Sequence, residues 1–593
     1  MQDLQLASAC NQLLRKEDLL IPSFVKEALK KRDFVSQISS KDELLIKIYS
    51  KQSIILSEIM PILHNLGFVV IDEVSYFLQD KDRYFIDKIR IEADREKLSK
   101  HKENISLLIE EALEKRVIEK CRLFELTYKE NFSIREILLV RAFLNYIDQL
   151  VEVFNKNKMI ETIVKYFHIA RLFLNYFIEK FDPKKQKREY EKIEERIKEA
   201  FKEVLHVNED RVLKLFLEVL KNVVRTNYFM QKESISLKFD VGGFRKHLRG
   251  IQPSIEAFVY HQEIQGVHLR MGKISRGGIR WSDRYEDFRL EIKSLMATQE
   301  GKNAVIIPRG AKGGFVIFKD REKISKEDFR NYYDIFIDSL LDLVDNKGDK
   351  KRDDRVVAYD GDDFYFVVAA DRGTSSMSDE ANRIAISRGF WLRDAFASGG
   401  SNGYHHKKLG ITAKGALKSA ERFFLEKGLD LYEDEITIVG IGSMKGDVFG
   451  NAMIESKNFK LIGAVSHNEI FIDPNPDPAV AYEERVRLFG SKNGSWSNYD
   501  KSKISKGGGV FKRDDKEIRL SEEIKALLGV QTDVLDGEEL AKRLLAIKVD
   551  MIYNGGVGTY FKASYEENIA IGDKINEFVR LNADEIKAFC VCE

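Results

Sequence analysis

Residues 436–447 read Ile-Thr-Ile-Val-Gly-Ile-Gly-Ser-Met-Lys-Gly-Asp. A β-branched run over 435–440 passes into a glycine turn over 440–446, and a helix is expected from 447 to 456. Strand, glycine turn and helix in that order open a dinucleotide-binding unit, because glycines permit the tight turn and let a pyrophosphate approach the helix N-terminus. Gly440, Gly442 and Gly446 are the candidates. Their spacing, G-x-G-x-x-x-G, is one residue longer than the usual fingerprint, and a glycine turn of this kind is often only a turn. The acid that would hold the ribose hydroxyls should follow about 20 residues on. That place is taken by Ser466-His467-Asn468-Glu469, with Ser466 where the acid is expected and Glu469 slightly late, so NAD and NADP both stay open.

Outward from this turn, residues 461–465, 548–554 and 586–592 read as further strands. Upstream, 256–261, 304–308, 315–318 and 364–369 do the same, separated by helical patterns. Alternation of this kind predicts a mostly parallel, doubly wound sheet. We therefore divide the second half into an α/β substrate domain at 234–415 and a Rossmann-like domain at 416–593. From 99 to 233 the apolar residues recur at helical spacing, notably over 134–154 and 158–181, and predict a helical domain. The charged run at 183–204 mixes both signs at helix-pairing distances and reads as a solvated helix face. Residues 1–98 form a smaller α+β unit of βαββ type, with strands at 46–49, 68–71 and 84–91 and a helix at 55–66. The expected class is thus multidomain α/β.

Two constellations carry chemistry. HLRMGKISRGGIRWSDRYEDFR (268–289) and QEGKNAVIIPRGAKGGFVIF (299–318) gather Arg270, Lys273, Arg276, Arg280, Lys302, Arg309 and Lys312 beside two glycine pairs. Cations with close backbone approach suit a ligand bearing more than one carboxylate or phosphate. Surface charges on a turn are the plain alternative, and the G-x-x-x-x-G-K-[ST] phosphate loop is absent. Lys312 stands out: a lysine near other cations and partly desolvated has its pKa pushed down and can act as a base in carbonyl–imine chemistry. The second constellation is Asp371, at the end of the apolar run 364–369, where an acid is well placed to trade a proton with a substrate nitrogen. A helix cap or an ion pair with Arg372 would explain it equally well.

Composition excludes several classes. The chain has 593 residues, enough for roughly three to five domains. Lys and Arg total 97 against 96 Asp and Glu, a balance that gives no reason to expect a nucleic-acid or anionic-membrane surface. No apolar run reaches the ~18–20 residues of a membrane span, and the first residues lack a signal-peptide segment, so a cytoplasmic location is the default. Four cysteines do not make a disulfide framework. Cys590 and Cys592 have no histidine or cysteine cluster beside them, so no metal is expected.

RGGIRWSDRYEDFR (276–289), GKNAVIIPRGAKGGF (301–315), VVAADRGT (367–374), FASGGSNGYHHKKLGITAKGA (396–416), VGIGSMKGDVFGN (439–451), FIDPNPDPA (471–479), SKGGGVF (505–511) and NGGVGTYFKAS (554–564) follow one another in order. In these motifs, over most of its length, the chain is similar to the large-class NAD-specific glutamate dehydrogenases of bacteria. The resemblance implies reversible oxidative deamination of L-glutamate to 2-oxoglutarate and ammonia with NAD. It implies Lys312 as the catalytic lysine and Asp371 as its proton-transfer partner. Gln299 and Lys302 would hold substrate carboxylate, together with Arg276, which stands where shorter members of the wider group carry lysine. Thr412 would lie near the nicotinamide, and Asn554 and Gly555 would close over the cofactor. Ser466 departs from the aspartate usual in this class. The first unit would be ACT-like and regulatory, the helical region a linking domain, and the assembly a homo-oligomer. The family continues with E-G-[GA]-N-L where this chain ends, which implies a truncated Rossmann-like domain. A dehydrogenase of another amino acid, or a non-catalytic regulatory or assembly fragment, would fit the same motifs less fully.

Overall fold

Strand and helix packing divides the chain into two units, Met1–Ser398 and Gly399–Glu593. The computed structural model describes the chain outside residues 1–20, 41–42, 80–82, 116–119, 151–154, 303–307, 349–350, 372–373, 375, 405, 492–493 and 572.

In the first unit a short helix α1 (Ser23–Ala28) precedes β1 (Phe34–Ser39), β2 (Leu45–Ser50), α2 (Leu56–Asn65), β3 (Val69–Gln79) and β4 (Arg83–Glu92). The four strands form one antiparallel sheet in the order β1-β2-β4-β3. The βαββ expectation omits β1. Phe34 and Val35 are consecutive and both buried, so this strand lacks the alternation that marks a half-buried one. The next helix, α3 (Arg95–Leu113), is capped by the Asp94 carboxylate, which accepts from Lys97 N at 3.0 Å. It runs straight through the expected boundary between 98 and 99.

Helices α4 (Glu125–Glu130), α5 (Ile134–Leu150), α6 (Lys156–Lys165), α7 (Phe167–Phe181), α8 (Tyr190–Ala200) and α9 (Val207–Lys221) complete the helical region. The stretch read as one helix over 158–181 is two, because Tyr166 (φ −101°, ψ 50°) leaves the helical region. Aromatic contacts fill the space between them, with Phe173 and Phe216 stacked at 4.8 Å. The charged run at 183–204 forms α8, where Lys198 and Glu194 pair at 2.6 Å across one turn.

A mixed eight-stranded sheet follows: β5 (Val223–Thr226), β6 (Ile235–Asp240), β7 (Ile255–Tyr260), β8 (Ile264–Arg270), β9 (Ser275–Trp281), α10 (Phe288–Lys302), β10 (Arg309–Ile317), α11 (Lys326–Leu341), β11 (Val367–Ala370), α12 (Ser378–Ser387) and β12 (Ala397–Ser398). Its order is β12-β11-β9-β10-β8-β7-β6-β5, and only β12, β11, β9 and β10 run parallel. Two expectations change here, and a third lies mostly outside the described residues. β5 lies inside the segment assigned to helices. The strand placed at 304–308 falls largely on 303–307, outside the described residues. The RGG and RGAKGG segments, expected as loops, are strand throughout.

One buried charge network ties this sheet to the segment after α11. Arg270 donates to both oxygens of Asp363 at 2.8 Å, and Lys238 reaches Asp363 at 2.6 Å and also Asp360. Arg225 bridges Asp345 at 3.0 and 3.1 Å and Asp360 at 2.6 Å. Burial works to raise Asp363, but Arg270 and Lys238 outweigh it and hold the carboxyl down to about 2.

In the second unit α13 (His406–Leu409) and α14 (Ile411–Glu426) lead into β13 (Ile436–Ile441), α15 (Asp447–Ala452), β14 (Phe459–Val465), β15 (Glu469–Ile472), α16 (Pro478–Gly490) and β16 (Gly509–Lys512). After them come β17 (Ile518–Arg519), α17 (Glu522–Leu528), β18 (Val534–Leu535), α18 (Gly537–Leu545), β19 (Met551–Asn554), β20 (Phe561–Lys562), α19 (Asn568–Ile571), β21 (Leu581–Asn582) and β22 (Cys590–Cys592). The main sheet has the order β16-β15-β14-β13-β19-β22, parallel from β14 to β22 and antiparallel at the β15 and β16 edge. Along β13, Ile436 and Ile438 enter one core while Val439 and Ile441 enter another, so both faces are covered and the strand reads as a continuous apolar run. The expected boundary between 415 and 416 falls inside α14. The units part at Ser398 and Gly399. Among the described residues no helix is long and apolar enough to cross a membrane.

Asp363→Asn leaves Arg270 and Lys238 buried without their shared carboxylate, and should cost about 3–5 kcal/mol in denaturant unfolding. A carboxyl held below its unfolded value of 3.8 contributes stability that is present above pH 3.8 and is lost as pH falls towards about 2. The variant should therefore lose stability at neutral pH and show a flatter acid limb over that window.

Candidate active site

Strand β9 lies between β10 and β11, and its two glycines let side chains from both neighbours meet above it. Gly277 and Gly278 point to opposite faces. A Cβ on Gly277 would sit 1.6 Å from the Ala311 carbonyl oxygen. One on Gly278 would sit 3.1 Å from the Asp371 Cβ and 3.4 Å from the Lys312 Nζ. Over that bare position Lys312 from β10 and Asp371, the residue after β11, pair at 2.5 Å. The glycines of β10 serve the same end. A Cβ on Gly314 would meet Ile292 of α10 at 2.3 Å, and one on Gly310 would meet Glu300 at about 3 Å, so α10 lies directly on the face that carries Lys312.

Two more groups close the network. Arg280 Nε donates to Asp371 Oδ2 at 3.0 Å, and its Nη1 donates to Glu291 Oε1 of α10 at 2.9 Å. Ser282 Oγ donates to the other oxygen of Glu291 at 2.5 Å. The turn after β11 is held by Thr374, whose buried hydroxyl accepts from Asp371 N at 3.2 Å and donates to the Ile279 carbonyl at 2.6 Å. Asp371 is therefore not the cap of α12, which starts at Ser378.

Burial pushes the Lys312 ammonium below the ordinary lysine range, with Arg280 adding to that shift and Asp371 opposing it. Burial works to raise Asp371, but Lys312 and Arg280 outweigh it and keep the carboxyl below its usual value. The result is an ionised carboxylate facing an ammonium that gives up its proton more readily than a solvated lysine.

Three other expected residues lie on β9 and α10. Arg276, Gly278 and Arg280 alternate onto one face of β9, so Arg276 is on the Lys312 side and is exposed. Gln299 is half-buried on α10, on the same helical stripe as the buried Ile292 and Met296. Lys302 is the last residue of α10, and its side chain lies outside the described residues. Glu291 and Thr374 were not singled out in sequence, since nothing in their spacing announces a partner so distant along the chain. Arg280 is already among the clustered cations, and its alternation with Gly278 puts it on the Lys312 face.

In the second unit Gly440, Gly442 and Gly555 have a common cause. A Cβ at each would lie 2.2, 2.8 and 2.9 Å from the buried ring or Cβ of Phe449. These glycines admit Phe449 of α15, so close packing of helix on strand accounts for them. Gly442 also needs its φ of +146°. Gly446 precedes α15 and stands at the half-exposed part of the turn. Asn554 pairs in register with Ile441, is buried, and accepts from Gly556 N at 3.1 Å. Thr412 is exposed in the first turn of α14, just after Gly410, which packs on Asn451 of α15. The ribose position comes out differently. The Ser466 hydroxyl accepts from Glu469 N and donates to Glu469 O, each at 3.0 Å. Glu469 in turn accepts from Trp496 N at 2.9 Å and Ser497 N at 3.2 Å. Both side chains are committed to the β14–β15 turn and its neighbour. Among the described residues no group of three or more His, Cys, Asp or Glu could hold a metal ion.

Residues 196–593 match the family described as bacterial NAD-glutamate dehydrogenase, catalytic domain. Residues 32–103 match the glutamate dehydrogenase ACT3 domain, and 118–183 its helical motif 3. The NAD-specific glutamate dehydrogenase of Pseudomonas aeruginosa is 41% identical over 562 residues, covering 91% of this chain and 34% of its own. That of Halomonas elongata is 39% identical over 567 residues, with the same coverage of 91% and 34%. That of Mycobacterium tuberculosis is 39% identical over 506 residues, covering 80% and 31%. The chain thus spans about a third of the length of the curated relatives it matches.

Removing the Arg280 guanidinium takes away one of the two cations that stabilise the ionised Asp371. In Arg280→Ala the Asp371 carboxyl should titrate at higher pH than in the parent, read by 13C NMR of aspartate-labelled protein. An unchanged titration would contradict the network.

Proposed function

The chain belongs to the bacterial NAD-glutamate dehydrogenase family, and from that premise we propose that it catalyses reversible oxidative deamination of L-glutamate to 2-oxoglutarate and ammonia with NAD. The observation that carries the proposal is the pairing of buried Lys312 with half-buried Asp371, with Arg280 on the same carboxylate.

NAD, when bound, supplies the acceptor for the hydride that leaves the substrate α-carbon. The turn at Ser443, Lys445 and Gly446 is at least partly open to solvent, and Gly556 beside Asn554 has φ +71° with nothing within 4 Å of its Cβ direction. These features fit a dinucleotide at the carboxyl ends of β13 and β19. Gly440, Gly442, Gly446, Asn554 and Gly555 would shape that site, with Thr412 near the nicotinamide. Ser466 would act through the shape of its turn, since its hydroxyl is bonded in both directions.

On the substrate side Arg276, Gln299 and Lys302 would hold the two carboxylates. Once the α-carbon has lost hydride, Lys312 takes a proton from a water that adds to the iminium carbon. Asp371, which takes a proton from the substrate ammonium before hydride loss, returns it to the amine, and the carbon–nitrogen bond breaks as the carbinolamine hydroxyl yields its proton to the freed Asp371 carboxylate and ammonia leaves. We assign an ACT-like regulatory role to 1–98, a linking role to 99–233, the substrate domain to 234–415 and a Rossmann-like domain to 416–593. The working form is read as a cytoplasmic homo-oligomer.

Glutamate-dependent NAD reduction by the whole chain tests this. Lys312→Ala should lower kcat by about 10²–10⁴-fold. Turnover close to the parent's would overturn the assignment. A base must be deprotonated, so kcat/KM should rise with pH through a value below the ordinary 10.5 of lysine. Because Arg280 helps to push Lys312 down, Arg280→Ala should move that rise to higher pH.

A further inference from the structure

The helical region holds a second candidate site, separate from the Lys312–Asp371 pair. A groove of about 930 Å³ runs between α8, α9 and the 3-10 segment Val241–His247. Five Lys or Arg side chains line it against two carboxylates. That surplus contrasts with the near-exact balance of the whole chain.

The two carboxylates are already shared. Glu194 pairs with Lys198 at 2.6 Å and Lys221 at 2.7 Å. Glu218 pairs with Lys246 at 2.8 Å and His247 at 2.7 Å. In both, burial works upward but the cations prevail and keep the carboxyl below its usual value. Lys214 pairs with Asp210 one turn back on α9, at 2.7 Å. Arg211 has no hydrogen-bond or ion-pair partner among the described residues, although its planar fork is the group best matched to a phosphate.

Part of the groove is apolar. Phe201 and the buried Leu215 line it, and the link beside it exposes Leu205 at 86% and Val207 at 64%. Cations next to uncovered apolar side chains suit a ligand that is itself divided. A volume near 930 Å³ lies within the roughly 300–1,000 Å³ of small-molecule sites.

We propose that this groove binds an amphiphilic phosphate ester, with the phosphate on Arg211 and Lys214 and the apolar body along Phe201 and Leu215. The body is either an aromatic base or an alkyl chain, and the test separates them. α9 runs directly into β5, and β6 directly into the Val241–His247 segment, so a ligand here would brace the junction of the helices with the eight-stranded sheet.

Isothermal titration of the whole chain with AMP, with dodecyl phosphate below its micelle concentration and with inorganic phosphate tests the proposal. Saturating NADH is present throughout, to occupy the dinucleotide site. AMP or dodecyl phosphate should bind, and the one that does names the body. Binding should weaken by about tenfold or more in Arg211→Glu/Lys214→Glu, and in the milder Arg211→Gln, with NADH affinity and thermal midpoint unchanged. Added salt should weaken it too. Three outcomes would overturn the proposal: no binding of either ester up to about 1 mM, inorganic phosphate binding as tightly as the esters, or binding untouched by both variants.

Discussion

An ammonium and a carboxylate meet 2.5 Å apart above a strand that has no side chain to hold them apart. The rest of the candidate site follows from that contact. Lys312 and Asp371 come from strands on either side of β9, and they touch only because Gly278 leaves the space between them empty. A strand interior for Lys312 and a strand end for Asp371, both held by a hydrogen-bonded sheet, fix the two groups more firmly than loops would. Burial then makes the lysine release its proton at lower pH, which frees it to act as a base, while Lys312 and Arg280 guard the aspartate against protonation. Glu291 and Ser282 fix Arg280 in turn, so the positions of two reactive groups depend on a chain of contacts reaching into α10.

Glycine does similar structural work in both units. In the first it admits a lysine–aspartate pair, a neighbouring carbonyl and the side chains of α10. In the second, Gly440, Gly442 and Gly555 admit one phenylalanine, Phe449, which seats α15 against β13. Backbone bared for packing and backbone bared for a ligand look identical in sequence. This is why the G-x-G-x-x-x-G turn could be recognised as strand, turn and helix while the cause of its first two glycines could not.

Much of the architecture was legible for simple reasons. The core strands of the second unit are buried on both faces and read as unbroken apolar runs, and helices α5 and α7 repeat apolar residues at their own period. Failures came where one signal stood for two structures. Glycine pairs at 277–278 and 313–314 suggested loops but sit mid-strand, each pressed against a neighbour. β1 buries consecutive residues and loses its alternation. Tyr166 breaks a helix with no proline or glycine to announce it. At the site, Lys312 could be named from the cations clustered around it and Asp371 from its place at the end of an apolar run. Glu291 and the internal commitments of Ser466 and Glu469 could not, because they depend on which segments the fold brings together.

The central claim is that burial and Arg280 make Lys312 lose its proton at lower pH than a solvated lysine, even beside a carboxylate, so that more of it is free to act as a base. Its titration can be followed directly by 15Nζ NMR, with the resonance assigned by its loss in Lys312→Arg. The account predicts a midpoint below the ordinary 10.5. A midpoint at or above 10.5 would mean that Asp371 dominates the site, and would contradict the role of Lys312 as the base.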